Sequence, residues 1–205
     1  MDADINARDP KGFTRLIKAS SDGEVDIVRE LIDARADVNV ESRFLGTALT
    51  LAAKLGHQEI VQMLINAKAA LDIMDLVKRT PLMHAANGGH VEVAKLLLDA
   101  QADLHAVDVS SVTALGFAAN AAQDYGEMVK LLIDAKSEVD VRSYGNKTPL
   151  MMACTFGHAA AAEALISAKA SLEAQDDSGL TPIMYAKKSG YAHILDVFAS
   201  PSTSN

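Results

Sequence analysis

Threonine recurs at Thr14, Thr47, Thr80, Thr113, Thr148 and Thr181, at spacings of 33, 33, 33, 35 and 33 residues. A fixed period of this length signals one supersecondary unit copied along the chain, and no other feature restricts the fold as strongly. The surroundings of each threonine recur as well: TRLIKAS, TALTLAA, TPLMHAA, TALGFAA, TPLMMAC and TPIMYAK. Gly56-His57, Gly89-His90 and Gly157-His158 stand at one phase, with Gly190-Tyr191 as a variant. Apolar stretches IVRELI, IVQMLI, VAKLLL, MVKLLI, AAEALI and ILDVFA come next. The first five units then close on ADVNV, AALDI, ADLHA, SEVDV and ASLEA.

Each unit reads as two short helices. Threonine is a good N-cap, and Pro81, Pro149 and Pro182 occupy the position that suits the first turn of a helix. The Leu and Ala residues that follow give a first helix with a small-residue face. The second carries apolar residues at helical spacing, such as Val93, Leu96 and Leu97. One such pair cannot bury its apolar face alone, whereas stacked neighbours share a continuous core.

The 33-residue period, the TPLHxAAxxGH-like core and the apolar stripe after it resemble the ankyrin repeat family over nearly the whole chain. The resemblance implies an all-α solenoid with short β-hairpins, an ankyrin-type stack of helix–turn–helix repeats. A single domain over 1–199 is expected, with repeats at about 9–41, 42–74, 75–107, 108–142, 143–175 and 176–199. Residues 1–8 are expected to supply a partial N-terminal cap strand, the last unit to act as a C-terminal cap, and 200–205 to form a disordered tail.

The repeat also decides how the chemically suggestive residues are read. His84, His90 and Glu92 look like a metal or acid–base site. His90, however, shares its phase with His57 and His158, which suits a turn residue bonded to neighbouring backbone. His84 falls where other units carry Lys18, Leu51, Phe117, Met152 and Tyr185, so the position makes no demand for imidazole. An HExxH zinc helix is absent. Asp9, Asp75, Asp108 and Asp176 recur five residues before a phase threonine, where aspartate braces a turn through its side chain. Cys154 stands where Ser20, Ala53, Ala86 and Ala119 occur, a small buried position. No catalytic constellation, cofactor site or metal site is expected, and the chain is read as no enzyme.

Composition narrows the partners. A formal net charge of −8 argues against binding nucleic acid or an anionic membrane surface. One cysteine builds no disulfide framework. The start, MDADINARDPKG, lacks the basic and apolar regions of a signal peptide, and no apolar run approaches a bilayer-spanning length. A cytoplasmic or nuclear location is expected, with the chain monomeric by itself.

Two departures from the family pattern stand out. Ankyrin repeats usually carry Gly just after the second helix, where the backbone turns left-handed; here Arg35, Lys68, Gln101, Lys136 and Lys169 stand there. These five are expected to keep positive φ and tolerate the strain. Second, the 35-residue spacing places two extra residues near 120–125, in the turn between the helices of the fourth repeat.

The family's usual partner surface is the hairpin tips and the exposed side of the first helices. Of the nine aromatics, Phe13, Phe44, Tyr144 and Phe156 fall at these positions. Leu45, Leu55, Leu76, Val77 and Val109 join them, with Arg43 and Arg79 beside them. Large apolar groups at positions that need no burial, with Arg among them, mark binding anchors. Lys11, Lys78 and Lys147 add positive charge at the tips, so a protein or peptide with apolar and acidic anchors is the expected partner. A scaffold or adaptor is the leading role. A constitutive structural subunit or assembly chaperone of a larger complex is the alternative.

Overall fold

The computed structural model describes residues 4–199, which divide into two compact units on either side of the Asp103–Leu104 bond. The first unit holds α1 (Arg15–Asp22), α2 (Val25–Asp33), α3 (Ala48–Leu55), α4 (Gln58–Asn66), α5 (Pro81–Gly88) and α6 (Val91–Asp99). The second holds α7 (Ala114–Ala119), α8 (Gly126–Asp134), α9 (Pro149–Phe156), α10 (Ala159–Ser167), α11 (Pro182–Ser189) and α12 (Ala192–Ala199). Odd-numbered helices are the first helices of the repeats and even-numbered ones the second. In the first unit α1 packs on α3 and α3 on α5, while α2 meets α4 and α4 meets α6. In the second, α7 packs on α9 and α9 on α11, while α8 meets α10 and α10 meets α12.

Helices of six to nine residues are marginal in water, so capping and packing must hold them. Five of the six phase threonines cap their helix as expected. Their hydroxyls accept from the backbone N–H of Ile17, Thr50, Met83, Gly116 and Met151. Thr181 makes no such bond, and its hydroxyl is buried without a partner. The leucine two residues after the first five caps is sealed: Leu16, Leu49, Leu82, Leu115 and Leu150 are all buried. Each such burial contributes about 1.5–3 kcal/mol relative to exposure. Alanines such as Ala52, Ala85, Ala118 and Ala153 are fully buried too and let neighbouring backbones approach.

The Gly-His pairs interlock successive repeats. The ring N–H of His57 donates to the Ser21 carbonyl at 3.1 Å, and that of His90 to Lys54 at 3.1 Å. A Cβ added at Gly56 would lie 2.6 Å from the His90 ring, and its φ is +75°. Glycine is therefore required there twice over, by backbone and by neighbour. In the last repeat His193 takes over the role, donating to the Gly157 carbonyl at 2.7 Å.

The five non-glycine turns after the second helices are left-handed as expected, with φ of 62° at Arg35, 64° at Lys68, 72° at Gln101, 76° at Lys136 and 65° at Lys169. Each completes a Schellman motif. At the first, Ala36 N–H donates to Leu31 C=O and Arg35 N–H to Ile32 C=O, both at 2.9 Å.

Strands are where expectation and structure part. Among the described residues there is no β-strand. Each tip is instead a tight loop closed by a backbone bond across its base, such as Ser42 N–H to Gly46 C=O at 2.8 Å or Asp75 N–H to Arg79 C=O at 3.0 Å. The loops are too short and too tightly turned to build a ladder. Residues 4–8 likewise form a turn rather than a cap strand. Asn6 nonetheless fills the register of a repeat end, its side-chain oxygen accepting from Asp37 N–H at 2.9 Å. The expected tail, 200–205, lies outside the described residues.

Candidate functional site

Aspartates before the threonines build the tips. Asp75 Oδ1 accepts from Val77 N–H (3.0 Å) and Arg79 N–H (2.9 Å). Asp9, Asp108 and Asp176 repeat this brace. In the second repeat Ser42 substitutes, its hydroxyl accepting from Leu45 N–H at 2.9 Å. With the ends of each loop pinned, the side chains between them are forced outward. Phe44 is 60% exposed and Leu76 67%.

In the first unit these two meet. The second and third tips enclose a cleft of about 90 Å³ lined by Glu41, Arg43, Phe44, Met74 and Leu76, with Ser42, Gly46 and Asp75 behind. Leu45 and Val77 are exposed at the same tips, and Arg79 is half-buried. Phe13 is half-buried and lies outside the cleft lining. Leu55 is exposed at the end of α3, away from the tips. Met74 was missed from sequence because it precedes the bracing aspartate, one residue before the tip itself.

In the second unit the fourth and fifth tips touch, with Tyr144 N–H donating to the Ser110 carbonyl at 2.8 Å. Tyr144 is 85% exposed, and Val109 is exposed on the neighbouring tip. Phe156, at the end of α9, stacks on His158 with ring centroids 5.8 Å apart. It therefore occupies the register of Leu55 rather than joining the tips.

The residues that resembled catalytic machinery are structural. The ring N–H of His84 donates to Asp75 Oδ2 at 2.9 Å, and both groups are shielded from solvent. The same pairing recurs in the sixth repeat, where Tyr185 donates to Asp176 at 2.6 Å. Burial, with help from Asp176, pushes the Tyr185 hydroxyl up to about 12. The Cys154 thiol is fully buried and likewise pushed up to about 12 by desolvation, so it supplies little thiolate. Among the described residues no three His, Cys, Asp or Glu side chains group so as to hold a metal ion. No helix among them is long and apolar enough to cross a membrane.

Burial lowers the His84 pKa below its ordinary value; the Asp75 carboxylate pulls the other way and is outweighed. The unfolded chain therefore takes up this proton first as pH falls. The contribution of neutral His84 is fully present above about 6.5 and is lost as pH drops from there toward the folded value. The slope this group adds is at most about 1.4 kcal/mol per pH unit. His84→Met, the residue found at the equivalent Met152, should flatten the urea-unfolding stability measured between pH 7 and 5, relative to the parent. An unchanged slope would refute the assignment.

The sequence register named most of this, but not the bonds between repeats. Asn39, Asp72 and Asp140 accept from the backbone N–H of Ala70, Asp103 and Ser171, each 31 residues on. Their signal was the polar residue recurring in ADVNV, AALDI and SEVDV. A family model described as ankyrin repeats (three copies) matches residues 1–75, 68–143 and 115–204. A search of curated proteins returns no match. Repeating helix pairs, interlocked histidines and a family match running along the chain agree, and the chain belongs to the ankyrin repeat family.

Proposed function

We propose that this protein is a non-enzymatic scaffold or adaptor that binds a partner protein or peptide through its loop tips. Ankyrin repeats are in general protein–protein interaction modules. The observation that carries the proposal here is the cleft in the first unit, where Phe44 and Leu76 stand largely exposed on tips held rigid by Ser42 and Asp75. Rigid, exposed apolar anchors lose little entropy on binding. Arg43, Lys78 and Lys11 are exposed on tips of the same unit, so the partner's anchors are apolar with acidic neighbours. Nucleic acid and membrane are not part of this proposal, and a cytoplasmic or nuclear setting suits it.

Affinity purification followed by mass spectrometry identifies the partner, and calorimetry with the purified partner then measures affinity. The double variant Phe44→Ser with Leu76→Ser should weaken binding about a hundredfold or more, as expected for two central anchors. Its helical circular dichroism should match the parent. Undiminished binding by the folded variant would refute the tip assignment.

A further inference from the structure

The last repeat exposes positions that its equivalents bury. Ile183 is 37% exposed, whereas Leu16, Leu49, Leu82, Leu115 and Leu150 at the same register are at most 1% exposed. Met184 is 47% exposed, whereas Ile17, Met83 and Met151 are buried. On α12, Leu195 and Phe198 are half-buried where Val61 and Leu64, or Val129 and Leu132, are sealed. In the earlier repeats the cover is the next helix pair: α3 over α1, α5 over α3, α9 over α7 and α11 over α9. The last repeat thus carries an apolar stacking face.

The opposite face of the first repeat is different. One residue after the cap the other repeats bury Ala48, Pro81, Ala114, Pro149 and Pro182, but the first exposes Arg15. Four residues after the cap they bury Leu51, His84, Phe117, Met152 and Tyr185, but the first exposes Lys18. That end is closed by charge.

We propose that the α11–α12 face is a self-association surface, covered by the same face of a second copy across a twofold axis. Of the two end faces a second copy offers, its own α11–α12 face is the apolar one. Docking its first repeat instead would bury Arg15 and Lys18 against Ile183 and Met184, which strips two cations of water without a counter-charge. It would also propagate into an open filament rather than a closed pair. Lys187 separates this contact from ordinary repeat stacking. It stands where Ser20, Ala53, Ala86, Ala119 and Cys154 admit the next helix, and it is exposed. A lysine stem can cover apolar surface while its ammonium stays in water at the rim of such a contact. The surface is separate from the tip cleft and departs from the monomer expected on sequence grounds.

Sedimentation velocity of the 205-residue chain, from low micromolar to several hundred micromolar, tests this. The 21.7 kDa chain should pass reversibly into a species of twice its mass. Ile183→Asp with Met184→Asp should weaken the association about a hundredfold or more. Phe44→Ser with Leu76→Ser should leave it unchanged, which separates this surface from the proposed binding tips. Hydrogen exchange on the unmodified chain gives a second readout that requires no variant to fold. Amides of 182–199 should gain protection with concentration, and those of 42–46 and 75–79 should not. A monomer at every concentration, a dimer indifferent to Ile183 and Met184, or protection confined to the tips would each overturn the proposal.

Discussion

Replacing Gly126 by valine is expected to cost about 3 kcal/mol of stability, from overpacking of about 1–3 kcal/mol and a weakened cap of about 1–2. Gly126 opens α8, and a Cβ built there would fall 2.5 Å from the Ala160 Cβ and 3.0 Å from its carbonyl carbon. The neighbour that must yield is largely backbone, at the start of α10. The same spot carries the inserted residues of the fourth repeat. Asp124 Oδ2 accepts from Ala160 N–H at 2.7 Å and Oδ1 from Ala161 N–H at 3.0 Å. A carboxylate from one repeat thus caps the second helix of the next, with the helix dipole in its favour. The insertion in the turn between the fourth repeat's helices thus carries a capping device. Valine would drive α8 and α10 apart and pull Asp124 off the helix end. Urea unfolding should show a lower midpoint with little change in slope. A loss below about 1 kcal/mol would mean the helices part without penalty.

Converting Arg35, Lys68, Gln101, Lys136 and Lys169 together to glycine should raise stability by about 1–2 kcal/mol, since each left-handed residue costs about 1–2 kcal/mol relative to glycine before two opposing terms are subtracted. Two terms reduce the gain. Glycine adds about 0.4–1 kcal/mol of entropy to the unfolded chain, and the four cations lose a favourable place at a helix C-terminus worth about 0.3–1. About 0.2 kcal/mol remains at each cationic site and about 0.8 at Gln101. All five side chains are exposed, so no core packing is lost. The sites lie in separate repeats and should add nearly independently. At about 2–4 °C per kcal/mol, thermal unfolding should shift upward by about 3–6 °C. A lower melting temperature would show that the charges at the helix ends outweigh the backbone strain.

Both results rest on features of different legibility. The left-handed turns were readable because their cause is local: the apolar stripe ends, the chain reverses, and the register names the residue. The same holds for the threonine caps, the aspartate braces and the histidines after glycine, each of which acts within a repeat or on the one before it. The Asp124 cap was not readable. Its partners lie 36 and 37 residues away, and nothing in NAAQDY distinguishes a capping aspartate from a solvated one.

The period, the TPLHxAAxxGH-like core and the apolar stripe were together enough to read six helix pairs and a resemblance to the family. Periodic local signals, written six times, leave little freedom in how each unit folds. Tertiary structure alone decided that the tips are closed loops rather than strands, that Phe44 and Leu76 share a cleft with Met74, and that Ile183 and Met184 stand open. The last pair makes the reason plain. Ile183 and Met184 read in sequence like the buried Leu82 and Met83. Whether an apolar residue is core or surface depends on what stacks over it, and that is a property of the neighbour, not of the residue.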